Sequence, residues 1–250
     1  MKKYKVSIII VTWNSGKDIK TCLDSLFEQS FKDFKAIVVD NASQDDTVQK
    51  VEQYPEVDVI KQKKNYFLCK SNNDGIKYAI KNYQSEYVMV LNPDTKLDSN
   101  CLKFLIQTFN KNQNIGAVGP KIYFWNNPNE GKINSAGMIF DNFMQAYDRG
   151  FLEEDHGQYD KEEVVPALSG ACILFKVEAL KKVGLYWEIL KMYLDDVEIA
   201  LRLKKNGFFN ILSTKSCCLS FIHGFYKAKQ EVFNIQTKNV CLALNCFKTL

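Results

Sequence analysis

The run Val6-Ser7-Ile8-Ile9-Ile10-Val11 limits what this chain can fold into more than any other stretch. A strand turns alternate side chains to opposite faces, so an almost unbroken apolar run needs cover on both sides. Lys5 to Val11 therefore reads as a strand buried in a sheet between two layers of helices, and Tyr87 to Leu91 is a second one. Strands Phe34 to Val39 and Val57 to Lys61 alternate with helical patterns at about Gly16 to Glu28, Asp45 to Gln53 and Asn73 to Asn82. A helix, Asp98 to Asn110, and a fifth strand, Ile115 to Gly119, follow. This alternation predicts an α/β fold, a Rossmann-like, mostly parallel central sheet flanked by helices.

From about Lys121 to Pro166 the alternation lapses, and short strand-like pieces such as Ile133 to Phe140 lie among polar stretches. The acidic segment Glu153 to Glu163 reads as a mobile, solvated connector rather than a lid. Order resumes with an apolar strand, Ala167 to Lys176, and a helix, Val177 to Val183, stopped by Gly184.

Several function classes drop out early. With 33 basic and 29 acidic side chains the net charge is only +4, so no broad field calls for nucleic acid. The first apolar run is far shorter than the roughly 20 residues of a membrane span. It also lacks the small-residue cleavage site of a secretory signal. Eight cysteines without a C-x-x-C are expected to be free thiols in a reducing cytosol, with no cysteine-built zinc site.

Ligands of open α/β sheets gather beyond the carboxyl ends of the strands. Each early strand delivers polar residues there: Thr12-Trp13-Asn14-Ser15-Gly16, Asp40-Asn41-Ala42-Ser43, Lys63-Lys64-Asn65 and Asn92-Pro93-Asp94-Thr95. Asp40 could accept a base N–H and a ribose hydroxyl together, as uracil or thymine recognition requires; it could equally cap its own turn.

Taken in order, Ser7-Ile8-Ile9-Ile10-Val11-Thr12-Trp13-Asn14, Val39-Asp40-Asn41-Ala42-Ser43-Gln44-Asp45, Leu91-Asn92-Pro93-Asp94, Leu168-Ser169-Gly170-Ala171-Cys172 and Tyr193-Leu194-Asp195-Asp196-Val197-Glu198 resemble the motifs of family 2 glycosyltransferases. The likeness is strongest to the rhamnosyltransferase-like branch and covers roughly Lys5 to Gly224. It implies a GT-A fold with a nucleotide-sugar-binding α/β half over residues 1–120 and a smaller acceptor-binding, catalytic-base half over residues 121–226. Residues 227–250 read as an amphipathic C-terminal helix bearing Lys227, Lys229, Lys238 and Lys248, either a solvated face or a membrane-docking one.

The resemblance gives Thr12 and Asp40 to the nucleoside, with Asn41 beside them, and adds Asn14, Asn73 and Asn92 to the nucleotide site. It gives Asp94 to a divalent cation, Mg²⁺ or Mn²⁺, with His223 completing the metal site or touching the diphosphate. Relatives commonly carry Asp-x-Asp at the metal motif. Asn92-Pro93-Asp94 has one carboxylate fewer, so a cation would depend more on substrate phosphates. Asp196 becomes the general base, with Asp195 orienting acceptor or base. The same acids suit a helix start, where capping and the dipole are worth about 1 kcal/mol and would lower their pKa.

One stretch departs from the family. Small residues usually precede the paired asparagines, whereas Phe67, Leu68, Cys69 and Lys70 stand here; they would narrow the donor pocket, and Lys70 could meet a phosphate.

The expected activity is inverting transfer of a sugar, rhamnose or another hexose, from a dTDP- or UDP-linked donor to a hydroxyl of a cell-surface glycan or lipid-linked acceptor. The setting would be the cytoplasm or the inner face of the plasma membrane. The alternatives are a catalytically impaired binding or assembly subunit and a sugar nucleotidyltransferase. The latter should carry a Gly-rich basic loop that Thr12 to Lys17 does not offer.

Overall fold

A computed structural model describes residues 3–125, 129–140 and 145–220. His223 and the expected helix over 227–250 lie outside these residues. The chain begins β1 (Val6–Thr12), α1 (Ile19–Phe27), β2 (Phe34–Asp40), α2 (Thr47–Val51), β3 (Asp58–Lys61), α3 (Phe67–Tyr83), β4 (Tyr87–Leu91), β5 (Thr95–Leu97), α4 (Cys101–Phe109) and β6 (Ile115–Phe124). Short strands β7 (Ile133–Ser135), β8 (Met138–Phe140), β9 (Ala146–Asp148) and β10 (Glu163–Val165) follow. Then come β11 (Cys172–Lys176), α5 (Val177–Val183), a 3-10 turn (Glu188–Leu190), α6 (Asp195–Lys205) and β12 (Phe209–Ser220).

The main sheet runs β10-β12-β6-β11-β4-β1-β2-β3, with β5 on β12 and β7 on β6. Strands β3, β2, β1, β4, β6 and β12 share one direction, while β11 and β10 oppose it. β1 is buried along its whole length, as its apolar run demands. Ile8 and Ile10 face a layer built from α1 and α4, with Leu23, Leu26, Leu102 and Leu105. Ile9 and Val11 face the opposite layer, with Ile76 of α3, Leu180 of α5 and Leu203 of α6. Gly75 lets α3 settle onto the sheet, because a Cβ there would lie 2.5 Å from Ile9 Cγ2 and 3.0 Å from Val39 Cγ2.

Three expectations are corrected. α3 begins at Phe67, six residues before the expected Asn73, because side chains cap it: Asn65 Oδ1 accepts from Phe67 N (2.8 Å) and Asn41 Oδ1 from Tyr66 N (3.2 Å). β6 does not stop at Gly119 but runs through Pro120 to Phe124. A bulge in β12 between Ser213 and Cys217 accommodates the proline, which has no N–H for the ladder.

The acidic connector is bolted down rather than loose. Lys121 of β6, its side chain only 3% exposed, reaches Asp155 (2.7 Å) and Asp160 (2.5 Å). The Tyr123 hydroxyl also donates to Asp155, Thr214 Oγ1 to Asp160 O (2.8 Å), and Lys111 pairs with Glu162 (2.8 Å). Burial alone would raise the Asp155 pKa, but the Lys121 ammonium, the Tyr123 hydroxyl and the Gly157 N–H outweigh it and hold it at about 2. A folded-state pKa below the unfolded one makes this a stabilising contact above about pH 4 that fades as pH falls toward 2. Lys121→Met should therefore lower stability by ~1–3 kcal/mol and speed protease cleavage within residues 149–163, read by thermal melting and limited proteolysis.

Candidate active site

The end expected to take the nucleoside is set by β1 and β2, which finish in register at Thr12 and Asp40. Thr12 Oγ1 donates to Asp40 Oδ1 (3.1 Å) and Ser43 N to Oδ2 (3.1 Å), which fixes the buried carboxylate and leaves each oxygen with capacity to accept again. Asn14 and Ala42 take left-handed backbone (φ 53° and 63°) in the loops that follow. Asn14 N donates to Ser43 Oγ (2.9 Å) and Gln44 N to Asn14 Oδ1 (2.8 Å), so Asn14 pins the two loops together. Gly16 N and the Thr47 hydroxyl donate to Asp45; they outweigh its partial desolvation and keep its pKa low.

Three residues expected at the nucleotide have side-chain partners within the protein. Asn41 Oδ1 accepts from Tyr66 N and from Ser71 Oγ (2.7 Å), organising the start of α3. Asn73 forms a two-bond clamp on Tyr186, donating to its carbonyl (2.9 Å) and accepting from its N–H (3.0 Å). Lys70, expected to meet a phosphate, forms an i,i+4 ion pair with Asp74 because both lie on one face of α3.

Beyond β4, Asn92 N donates to Ala171 O (2.9 Å) and Asn92 O accepts from Thr95 Oγ1 (2.6 Å), which fixes the turn carrying Asp94. The donor set fits a hard cation only in a shared way. Among the described residues no three ligating side chains cluster, so Asp94 would supply one carboxylate and a diphosphate most of the remaining oxygens.

The acid pair stands at the start of α6, after a segment with left-handed backbone at Lys191, Tyr193 and Leu194 (φ 61°, 70° and 61°). Such strain in non-glycine residues gathers where surrounding structure imposes a geometry, commonly at functional sites. Asp196 Oδ2 accepts from Gly170 N (3.0 Å) and Oδ1 from Val197 N (2.8 Å). A Cβ at position 170 would lie 3.3 Å from Asp196 Oδ2, so glycine keeps that approach open. The lowered pKa expected from the helix terminus is not what the site has. Burial raises both carboxyls, with the Asp196 charge adding to it at Asp195 and the Asp148 charge adding at Asp196; amide donors offset only part.

Behind the pair, Glu198 receives two bonds from Arg202, which also donates to Val183 O (2.5 Å) and Leu185 O (2.8 Å). Sequence reading assigned no role to Gly170 or Arg202. The i,i+4 spacing of Glu198 and Arg202 was a visible signal for the ion pair, whereas Gly170 stood in a quoted motif but its contact with Asp196 joins distant segments and could not be read from spacing.

The carboxylates meet on one rim. Thr12 and Asp40 end β1 and β2, Asn92 follows the adjacent β4, and residues 170–171 precede β11, bonding Asn92 on one side and Asp196 on the other. Asp40, Asp94 and Asp196 thus open onto the same edge of the sheet.

The fold as a whole matches known structures. GalNAc-T7 bound to UDP, GalNAc and Mn²⁺ superposes with a TM-score of 0.73 at 15% identity, over 88% of this chain and 44% of that one. TarS residues 1–349 of S. aureus with UDP gives 0.64 at 22%, over 89% and 61%. The Pyrobaculum calidifontis mannosyltransferase with GDP-Man and Mn²⁺ gives 0.65 at 18%, over 90% and 59%. These likenesses establish a GT-A fold. In sequence, the poly-β-1,6-N-acetyl-D-glucosamine synthase of Staphylococcus epidermidis is 24% identical over 201 residues, 79% of this chain and 45% of that protein. The N-acetylglucosaminyl-diphospho-decaprenol L-rhamnosyltransferase of Mycobacterium tuberculosis is 25% identical over 228 residues, 82% of this chain and 72% of that protein. The chain spans about half the length of the synthase it resembles. Residues 7–184 match the model of glycosyl transferase family 2, and the chain belongs to that family.

Proposed function

We propose that the protein is an inverting hexosyltransferase that moves a sugar, rhamnose or another hexose, from a dTDP- or UDP-linked donor to a hydroxyl of a cell-surface glycan or lipid-linked saccharide. It would work in the cytoplasm or at the inner face of the plasma membrane. The observation that carries this reading is Asp196: a half-buried carboxylate fixed by Gly170 N–H, on the rim that also holds Asp40 and Asp94. Support for the acceptor class comes from the M. tuberculosis relative, named for rhamnosyl transfer to a diphospho-decaprenol-linked sugar.

In this mechanism Thr12 and Asp40 orient the base and ribose, and Asp196 accepts the acceptor hydroxyl proton as that oxygen attacks the anomeric carbon. The nucleoside diphosphate leaves from the opposite face, so configuration inverts without a sugar–enzyme bond. A divalent cation held by Asp94 and the diphosphate would neutralise charge on the leaving group. No described helix is long and apolar enough to cross a membrane. A second reading, a subunit that binds donor without turnover, draws on the bulky stretch from Phe67 to Lys70.

Calorimetry with dTDP, UDP and GDP should show binding of at least one, tighter with Mn²⁺, and Asp94→Asn should remove about tenfold of the Mn²⁺-dependent gain. If none of the three binds, the reading fails. Asp196→Asn should retain nucleotide affinity while turnover falls by about 10²–10⁴, whereas a non-catalytic subunit would be indifferent to the change. Because burial raises the Asp196 pKa and the base must be ionised, the acidic limb of the rate profile should lie above the ordinary carboxylate value of about 4, with rate lost as pH drops through it.

A further inference from the structure

Phe67 is an anomaly at the donor end of the cleft. It has a left-handed backbone (φ 66°), costly for a bulky side chain, yet its ring remains 43% exposed, so burial does not repay the strain. Three contacts hold it. Its N–H donates to Asn65 Oδ1 (2.8 Å), its carbonyl faces Asn41 Nδ2 (3.5 Å), and Lys191 Nζ lies over its ring, 4.9 Å from the centroid. Lys191 comes from the segment that leads into α6, four residues before Asp195, with its own positive φ (61°, ψ −65°); its carbonyl accepts from Cys69 N (2.9 Å).

The charge balance of this corner is informative. Lys70 is neutralised by Asp74, Lys50 by Asp46 and Lys61 by Glu52, whereas Lys191 is exposed and makes no carboxylate ion pair among the described residues; Lys64, over the Tyr66 ring at 5.2 Å, shares that condition but lies on the Asn65 side, away from the acid pair's own segment. An ammonium resting on an aromatic face keeps its donors for another partner. It also stands between the Asp40-Asn41 turn and the acid pair, the interval that a donor's diphosphate must span when its base reaches Asp40 and its sugar reaches Asp196.

We propose that Phe67 and Lys191 form a diphosphate clamp, in which the strained ring holds the Lys191 ammonium ready to pair with the donor's phosphate oxygens. The inference rests on the donor reading above and deepens it. With a single carboxylate at the metal motif the protein holds a divalent cation less firmly, and a fixed ammonium from the chain keeps positive charge at the phosphates independently of that cation. Phe67 acts as a positioning residue for Lys191.

The test is calorimetry on the full chain at low ionic strength, with UDP and dTDP as probes and uridine and thymidine as their phosphate-free counterparts. Lys191→Met keeps the backbone bond to Cys69; it should weaken the bound diphosphate about tenfold and leave the nucleoside unchanged, and Lys191→Arg should restore the affinity. Phe67→Gly relieves the strain, so its fold is secure, and it should weaken the diphosphate several-fold with the same selectivity. Added salt should erode wild-type affinity more steeply than that of Lys191→Met. Equal diphosphate affinity in wild type and Lys191→Met, or an equal loss for the nucleoside, overturns the clamp while leaving the donor reading intact. If the wild type binds neither UDP nor dTDP, the donor reading itself fails and takes the clamp with it.

Discussion

The antiparallel insertion of β11 between β4 and β6 is the constraint on which the site depends. In an all-parallel sheet every strand would bring its carboxyl end to the ligand rim. Reversing one strand brings an amino end there instead. Backbone donors and acceptors of residues 170 and 171 thereby sit between two functional loops, Ala171 O holding the Asn92 turn and Gly170 N holding Asp196. The acid that starts α6 is thus registered to the loop after β4 through the two-residue turn Gly170-Ala171.

The energetics of the acid pair show which of two opposed effects wins. A helix amino end favours a carboxylate by a fraction of a kcal/mol to about 1 kcal/mol, whereas removal from water disfavours it by more when few donors compensate. Asp196 has two amide partners and Asp195 is buried beside it, so desolvation dominates. A base with a raised pKa is a stronger proton acceptor than a solvated aspartate, and that is the direction general-base chemistry needs.

Much of this was legible in the chain. The continuous apolar runs of β1 and β4 identified themselves because burial on both faces leaves no polar alternation, and the polar residues after them marked the rim. What the sequence concealed was long-range. The start of α3 depends on Asn41, more than twenty residues away, and the strap over residues 149–163 depends on a lysine that pattern reading would place in solvent. The reversal of the expected pKa shift depends on burial, which spacing does not reveal. The partners of Asn41 and Asn73 were hidden for the same reason, since they lie on Tyr66 and Tyr186, distant in sequence, whereas the Lys70–Asp74 pair follows the i,i+4 spacing.

The Asn73 clamp reaches further than its two hydrogen bonds. Its amide pairs with Tyr186 as another peptide group would, while Cys69 N secures Lys191 five residues later, so both ends of the intervening segment are tied to α3. The element that shapes the donor end therefore also carries the approach to the proton acceptor. Thermal drift of one is drift of the other, so in the proposed reaction donor and acceptor would be held in a single frame of reference rather than by two lobes that must find their alignment.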